Sequence, residues 1–243
     1  MSMSKDYKSV LEYKKSLKDW HYDPSVPSND SQYIGRIVDL DFSKIKSKLE
    51  EREPEHCVQL YDEDFVNGKS IPSQLNPNSV GASKLDHILH GYTKDNTKYF
   101  QWMEGRDVLP DEYNYIKKLC GLNYSTIAFF RQDPGNTNPW HFDTYLKSVE
   151  NGNLSEDDRM KVRRYLLFLE DWHWGHFLQV GNNVLSHWKA GDMYTWEYGM
   201  YHLSTNGGIL PKWTCQITGY PTEKSLHKLP NFKFKIGDSI EKV

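Results

Sequence analysis

Residues 177–218 read FLQV-GNN-VLSHW-KAGD-MYTW-EYGM-YHLS-TNGGILPK-WTCQIT. Apolar and aromatic runs at 177–180, 184–188, 193–196, 201–204 and 213–218 alternate with stretches of turn formers: Gly181-Asn-Asn, Lys189-Ala-Gly-Asp and Asn206-Gly-Gly. Gly reaches positive φ without strain, and Asn and Asp side chains bond to nearby backbone, so each interruption re-aims the chain. Short strands at this spacing predict an antiparallel sandwich or jelly roll. Two upstream runs, 125–132 and 164–170, extend the pattern. The aromatic share of 14%, with 8 Trp and 16 Tyr, points the same way, because rings suit a pleated, half-buried surface.

The rest of the chain reads differently. A helix is expected over 5–18, with Tyr7, Val10, Leu11 and Leu17 near one stripe, and another over 43–52. In the second, Ser43 is the expected N-cap, Ile45 and Leu49 lie one turn apart, and Pro54 follows the end. Residues 66–98 read as long loops, 111–119 as a helix opened by Pro110 and closed by Gly121, and 145–161 as a polar helical insertion. The expected organisation is one domain: a helical and loop extension over 1–120, a β core over 121–222 and a tail over 223–243. The fold class is mainly β with α additions.

Composition narrows the partners. A net charge of −3 without a basic stretch lacks the footprint of a nucleic-acid binder. Cys57, Cys120 and Cys215 are odd in number and far apart, which fits a reducing compartment rather than a disulfide framework. No apolar leader opens the sequence and no apolar run approaches a bilayer span, so neither a signal peptide nor a membrane is expected, and the location read from this is cytoplasmic.

The chemistry centres on Trp140-His141-Phe142-Asp143. At a strand end, the period of two puts His141 and Asp143 on the same side. His202 is the expected third member. Two imidazoles and one carboxylate on one face of a six-coordinate ion suit ferrous iron and leave the opposite positions for substrates. A second His-x-Asp, His21-Tyr22-Asp23, has no strand leading into it and is followed by Pro24. Alternation along 212–217 puts Lys212, Thr214 and Gln216 on one face, and Trp213, Cys215 and Ile217 on the other. An ammonium and a hydroxyl on one strand face can clamp a carboxylate.

From His141-x-Asp143 through His202 to Lys212, the chain resembles the iron(II)- and 2-oxoglutarate-dependent oxygenases over roughly residues 121–220. The resemblance implies a double-stranded β-helix, a cupin-like jelly roll, with iron(II) held by His141, Asp143 and His202. It implies that Lys212, with Thr214, binds the far carboxylate of 2-oxoglutarate; a Lys there is similar to prolyl-hydroxylase-like branches. The run Arg163-Arg164-Tyr165-Leu166-Leu167-Phe168-Leu169 also resembles a strand of the aspartyl/asparaginyl hydroxylase branch, in which an Arg contributes to co-substrate binding. Arg164 is therefore a rival or helper for Lys212. The implied reaction consumes dioxygen and 2-oxoglutarate, releases succinate and carbon dioxide, and hydroxylates a C–H bond of an amino acid, peptide or small metabolite.

Two other readings stand beside this one. A non-redox cupin-like binding or sensor module needs the metal ligands but no carboxylate clamp. A zinc site could draw on His173, His176 and His187 from the segment that opens Trp172-His173-Trp174-Gly175-His176. Glu170 and Asp171 end a strand with no partner evident from sequence.

Overall fold

The computed structural model describes residues 31–58, 96–103, 108–141, 143, 161–197, 200–228, 232–234 and 240–242. The expected helix at 5–18, the motif at His21-Tyr22-Asp23, most of the 66–98 loops and the insertion at 145–161 (all but its last residue) lie outside them. The first half of the chain supplies β1 (Gln32–Ile37), α1 (Phe42–Glu50), β2 (Glu55–Val58), β3 (Lys98–Met103) and α2 (Pro110–Cys120). Then come β4 (Leu122–Gln132), β5 (Thr137–His141), β6 (Arg163–Phe168), β7 (His176–Val180), β8 (Asn183–Leu185), β9 (Asp192–Trp196), β10 (His202–Asn206) and β11 (Lys212–Pro221). A 3₁₀ turn (Leu226–Lys228), β12 (Phe232–Phe234) and β13 (Ile240–Lys242) follow.

From β4 to β11 the chain winds between two sheets. One carries the neighbours β9-β6-β11-β4, and the other runs β5-β10-β7-β8. Successive strands change sheet at every step except the β7–β8 hairpin, where Gly181 takes φ 53. That alternation is the double-stranded β-helix, a cupin-like jelly roll, and the pairs within it are antiparallel.

The period of two divides the residues of β11 between two environments. Trp213, Cys215 and Ile217 join Phe129, Tyr165 and Leu167 in a core on the outer face, where α1 and α2 pack through Ile45, Leu49, Tyr113 and Ile116. Thr214, Gln216 and Thr218 face the opposing sheet. Between the sheets lie a smaller apolar core of Leu166, Phe168, Leu178, Val180, Trp188 and Trp196, and a polar cavity.

The helices follow their end signals with one correction. Asp41, not Ser43, caps α1: its carboxylate accepts from the Lys44 N–H at 2.9 Å. Asp41 lies one residue outside the first turn, where a cap must sit, and Ser43 is already helical. In α2, Pro110 occupies the first turn and Gly121 closes the helix at φ 60, where a Cβ would sit 2.5 Å from the Lys224 carbonyl oxygen.

The region expected as helix and loop also contributes β1, β2 and β3, and the tail contributes β12 and β13, so the larger sheet reads β13-β12-β1-β9-β6-β11-β4-β3-β2. β1 does not show an alternating pattern because its register shifts between Tyr33 and Gly35, which leaves Ile34 and Ile37 both buried. It is locked to β9 by Arg36, whose Nε and Nη2 reach the two Asp192 carboxylate oxygens at 2.7 and 3.2 Å. Asp192 also accepts from the Lys189 N–H, closing the Lys189-Ala-Gly-Asp turn. Among the described residues no helix is long and apolar enough to cross a membrane.

Candidate metal centre

β5 ends and β10 begins at the same level, and His202 is the register partner of His141. Their rings consequently face each other, with centroids 4.3 Å apart. Asp143, two residues beyond His141, returns to the same side. One ligand atom from each of His141, Asp143 and His202 lies within 4.8 Å of the others, and among the described residues no other such group forms.

The hydrogen bonds fix which imidazole nitrogens are available. His141 Nδ1 bonds the Pro139 carbonyl at 2.7 Å, and His202 Nδ1 bonds the Met200 carbonyl at 3.0 Å. A carbonyl only accepts, so each Nδ1 carries the proton and each Nε2 presents a lone pair. Both rings are buried, and Trp196 lies against His202 at 5.2 Å between centroids. Burial lowers both His pKa values; for His202, burial and the neighbouring His141 bring it to about 3. Burial alone would raise the Asp143 carboxyl, but the Arg164 guanidinium overrides it, with help from His202 and His141, and holds it below the usual carboxylate range.

Two neutral imidazoles and a carboxylate thus point electron pairs at one another in a buried space, with His202 Nε2 3.5 Å from Asp143 Oδ2. The Arg164 guanidinium answers the carboxylate, and a cation among the three would also satisfy the two Nε2 lone pairs. Carbonyl-held Nδ1 groups are the usual outer support of metal-binding histidines. The residues therefore fit a divalent ion, with a donor set of two nitrogens and one oxygen.

A cavity of about 260 Å³ opens beside the group. His141, Asp143 and Arg164 form one part of its wall. Thr214, Gln216 and Thr218 from β11, with Ser204 from β10 and Asn138 from β5, form others. Asn138 Oδ1 is buried there without a hydrogen-bond partner. Arg164 Nη1 donates to Asp143 Oδ2, and its Nε donates to Thr218 Oγ1 at 3.3 Å.

Lys212 is placed differently. Its ammonium is not on the cavity wall; it donates to the Phe177 carbonyl at 2.8 Å, Ser204 Oγ at 2.6 Å and the Thr205 carbonyl at 3.0 Å. Ser204 Oγ in turn donates to Gln132 Oε1 at 2.7 Å. Three donors meet three acceptors, so Lys212 fastens β11 to the opposing sheet. Of the side chains considered for carboxylate binding, the structure puts Arg164 and Thr214 at the cavity and Lys212 behind it. Strand alternation also signals Thr218 as a wall residue; the Arg164–Asp143 contact has no sequence signal.

The histidines of the rival zinc site do not converge. His176 Nε2 donates to the Leu210 carbonyl at 3.0 Å, and His187 stacks on Trp172 with its Nδ1 2.9 Å from Ser186 Oγ. Glu170 and Asp171, unpaired in the sequence reading, do have partners. Glu170 accepts from the Trp213 N–H and from Lys46, and Asp171 from Lys189 and the Ala190 N–H.

No protein-family model matches the chain, and no curated protein matches it in sequence. Among solved structures it is similar to a prolyl-4-hydroxylase from Pseudomonas putida, at 12% identity over 88% of this chain and 99% of that one, with a TM-score of 0.47. It is also similar to a protein described as a predicted oxalate decarboxylase from Thermotoga maritima (13% identity, 51% and 82% covered, TM-score 0.33). A cupin protein from Bacteroides fragilis is a third (9% identity, 51% and 78% covered, TM-score 0.32). At such identities no substrate or activity carries over to this chain.

Proposed function

We propose that the protein is an iron(II)- and 2-oxoglutarate-dependent dioxygenase that hydroxylates a C–H bond of an amino acid, peptide or small metabolite. The observation that carries this reading is the His141–Asp143–His202 group opening directly into a polar cavity whose wall bears a guanidinium. Iron(II), when bound, activates dioxygen, and 2-oxoglutarate supplies two electrons as it becomes succinate and carbon dioxide. His141 and His202 offer Nε2 lone pairs, and the Pro139 and Met200 carbonyls hold their rings in place. Asp143 offers a carboxylate oxygen. Arg164, with the Thr214 and Thr218 hydroxyls on the neighbouring strand, offers charge and hydrogen bonds to the far carboxylate of the co-substrate. Trp196 shields the His202 ring from water. Under strict anaerobiosis, iron(II) plus 2-oxoglutarate should give a weak visible charge-transfer band, and admission of air should yield succinate.

One observation favours a second reading, a metal-binding cupin-like module without redox activity. Both basic side chains considered for the carboxylate are engaged inside the protein: Lys212 with Phe177, Ser204 and Thr205, and Arg164 with Asp143 and Thr218. That module would bind the metal and give neither the band nor succinate.

A further inference from the structure

One carboxylate oxygen has two claimants. Asp143 Oδ2 is the oxygen nearest His202 Nε2, at 3.5 Å, and is therefore placed to share an ion with it. The same Oδ2 receives the Arg164 guanidinium. Asp143 and Arg164 are both largely withdrawn from solvent, with side-chain exposures of 23% and 13%, so water screens their charges poorly. A divalent ion arriving at Oδ2 meets a fixed positive charge already bonded there.

We infer that Arg164 is an exchangeable counter-ion that couples the metal to an anion bound in the cavity. Without ligands the guanidinium neutralises Asp143. A dicarboxylate in the cavity gives it an alternative anion to pair with, close at hand because Arg164 lies on the cavity wall opposite Thr218 in register. With both imidazoles neutral, the metal alone leaves the buried site net positive, the dianion alone leaves it net negative, and the two together leave it neutral. Each ligand therefore tightens the other, and by linkage the two effects are equal. The inference rests on His141, Asp143 and His202 being a metal site.

The test uses the full chain and manganese(II), whose free fraction is read by paramagnetic resonance. Glutarate is the anion: it is a dicarboxylate without the keto group that would let it chelate as 2-oxoglutarate does. At constant ionic strength, glutarate should tighten manganese binding to the unmodified protein roughly tenfold, within the usual range of coupling between sites. Arg164→Gln should bind manganese alone more tightly than the unmodified protein, by a similar factor, and glutarate should then change its affinity less than about twofold. If Arg164 only positions Asp143, Arg164→Gln binds manganese more weakly or equally, and the inference is overturned. Absence of any glutarate effect on the unmodified protein overturns it without a variant. Undiminished linkage in Arg164→Gln also overturns it, because glutarate then acts on the metal directly. Manganese that fails to bind the unmodified protein, or that binds His202→Ala equally well, removes the metal site itself.

Discussion

Lys212 and Arg164 occupy opposite ends of the same interior. Lys212 opens β11 on the face toward the smaller sheet, and Arg164 pairs in register with Thr218, six residues and roughly 20 Å further along that strand. At the Lys212 end a cation meets three acceptors supplied by β10 and the start of β7, and the space is closed. At the Arg164 end a cation meets a carboxylate beside a cavity and two imidazoles. The same charge therefore serves cohesion at one end and ligand chemistry at the other. What distinguishes the two ends is whether the acceptors are neutral groups, two of them backbone carbonyls that the fold cannot release, or a charged side chain that a ligand can compete for.

The largest expected effect separates the ends outright. His202→Ala should weaken metal binding by more than about 100-fold while lowering the unfolding free energy of the metal-free protein by no more than about 2 kcal/mol. Manganese titration and urea unfolding of the same preparation check this. His176→Ala should keep the metal, since His176 bonds the Leu210 carbonyl rather than the cluster. The opposite result, metal kept in the first variant and lost in the second, would restore the zinc reading.

Lys212→Met should show the reverse profile. It strands the Phe177 and Thr205 carbonyls and should lower stability by about 2–4 kcal/mol, with metal affinity in the folded fraction changed less than about threefold. The same residue sets a pH signature. Burial lowers its pKa from 10.5 to about 7, so between these values the unfolded chain binds the additional proton. Stability should rise as pH climbs through that window and lose this dependence below it. Urea midpoints at pH 7.5 and 8.5, above the range of the buried histidines and below that of the buried Cys120 and Cys215 thiols, should show the rise in the unmodified protein and its absence in Lys212→Met.

Thr218→Val should give the smallest effect. It removes one hydroxyl from the carboxylate wall and should weaken 2-oxoglutarate binding about fivefold, near 1 kcal/mol, with manganese binding in the absence of anion little altered. Equal losses for both ligands would place Thr218 in the support of Asp143 rather than in the anion site.

Much of this was legible in the sequence because strand period is a local property. The runs from 125 to 218 matched their strands within a few residues, and the alternation along β11 separated Trp213, Cys215 and Ile217 from Thr214 and Gln216. The grouping of His141 with Asp143 follows from the same period. Period says which face a side chain leaves from, not where its tip ends. Lys212 leaves from the cavity-side face, yet its four-carbon stem carries the ammonium to the β7 and β10 backbone. The Arg164–Asp143 contact joins β6 to a residue just past the end of β5, and the Glu170–Lys46 contact joins the core to α1. β1 escaped notice because a register shift at Tyr33 and Gly35 erased its alternation.

The position of β1 also has a consequence for biosynthesis. It is translated before any other described strand, yet its neighbours in the sheet are β9 and β12, and Arg36 is 156 residues away from Asp192. At 5–20 residues per second, the nascent segment waits roughly 10–30 s beyond the ribosome with both edges unmatched. The yield of native protein in a cell is then set by how well that orphan segment is sheltered until the second half of the chain emerges.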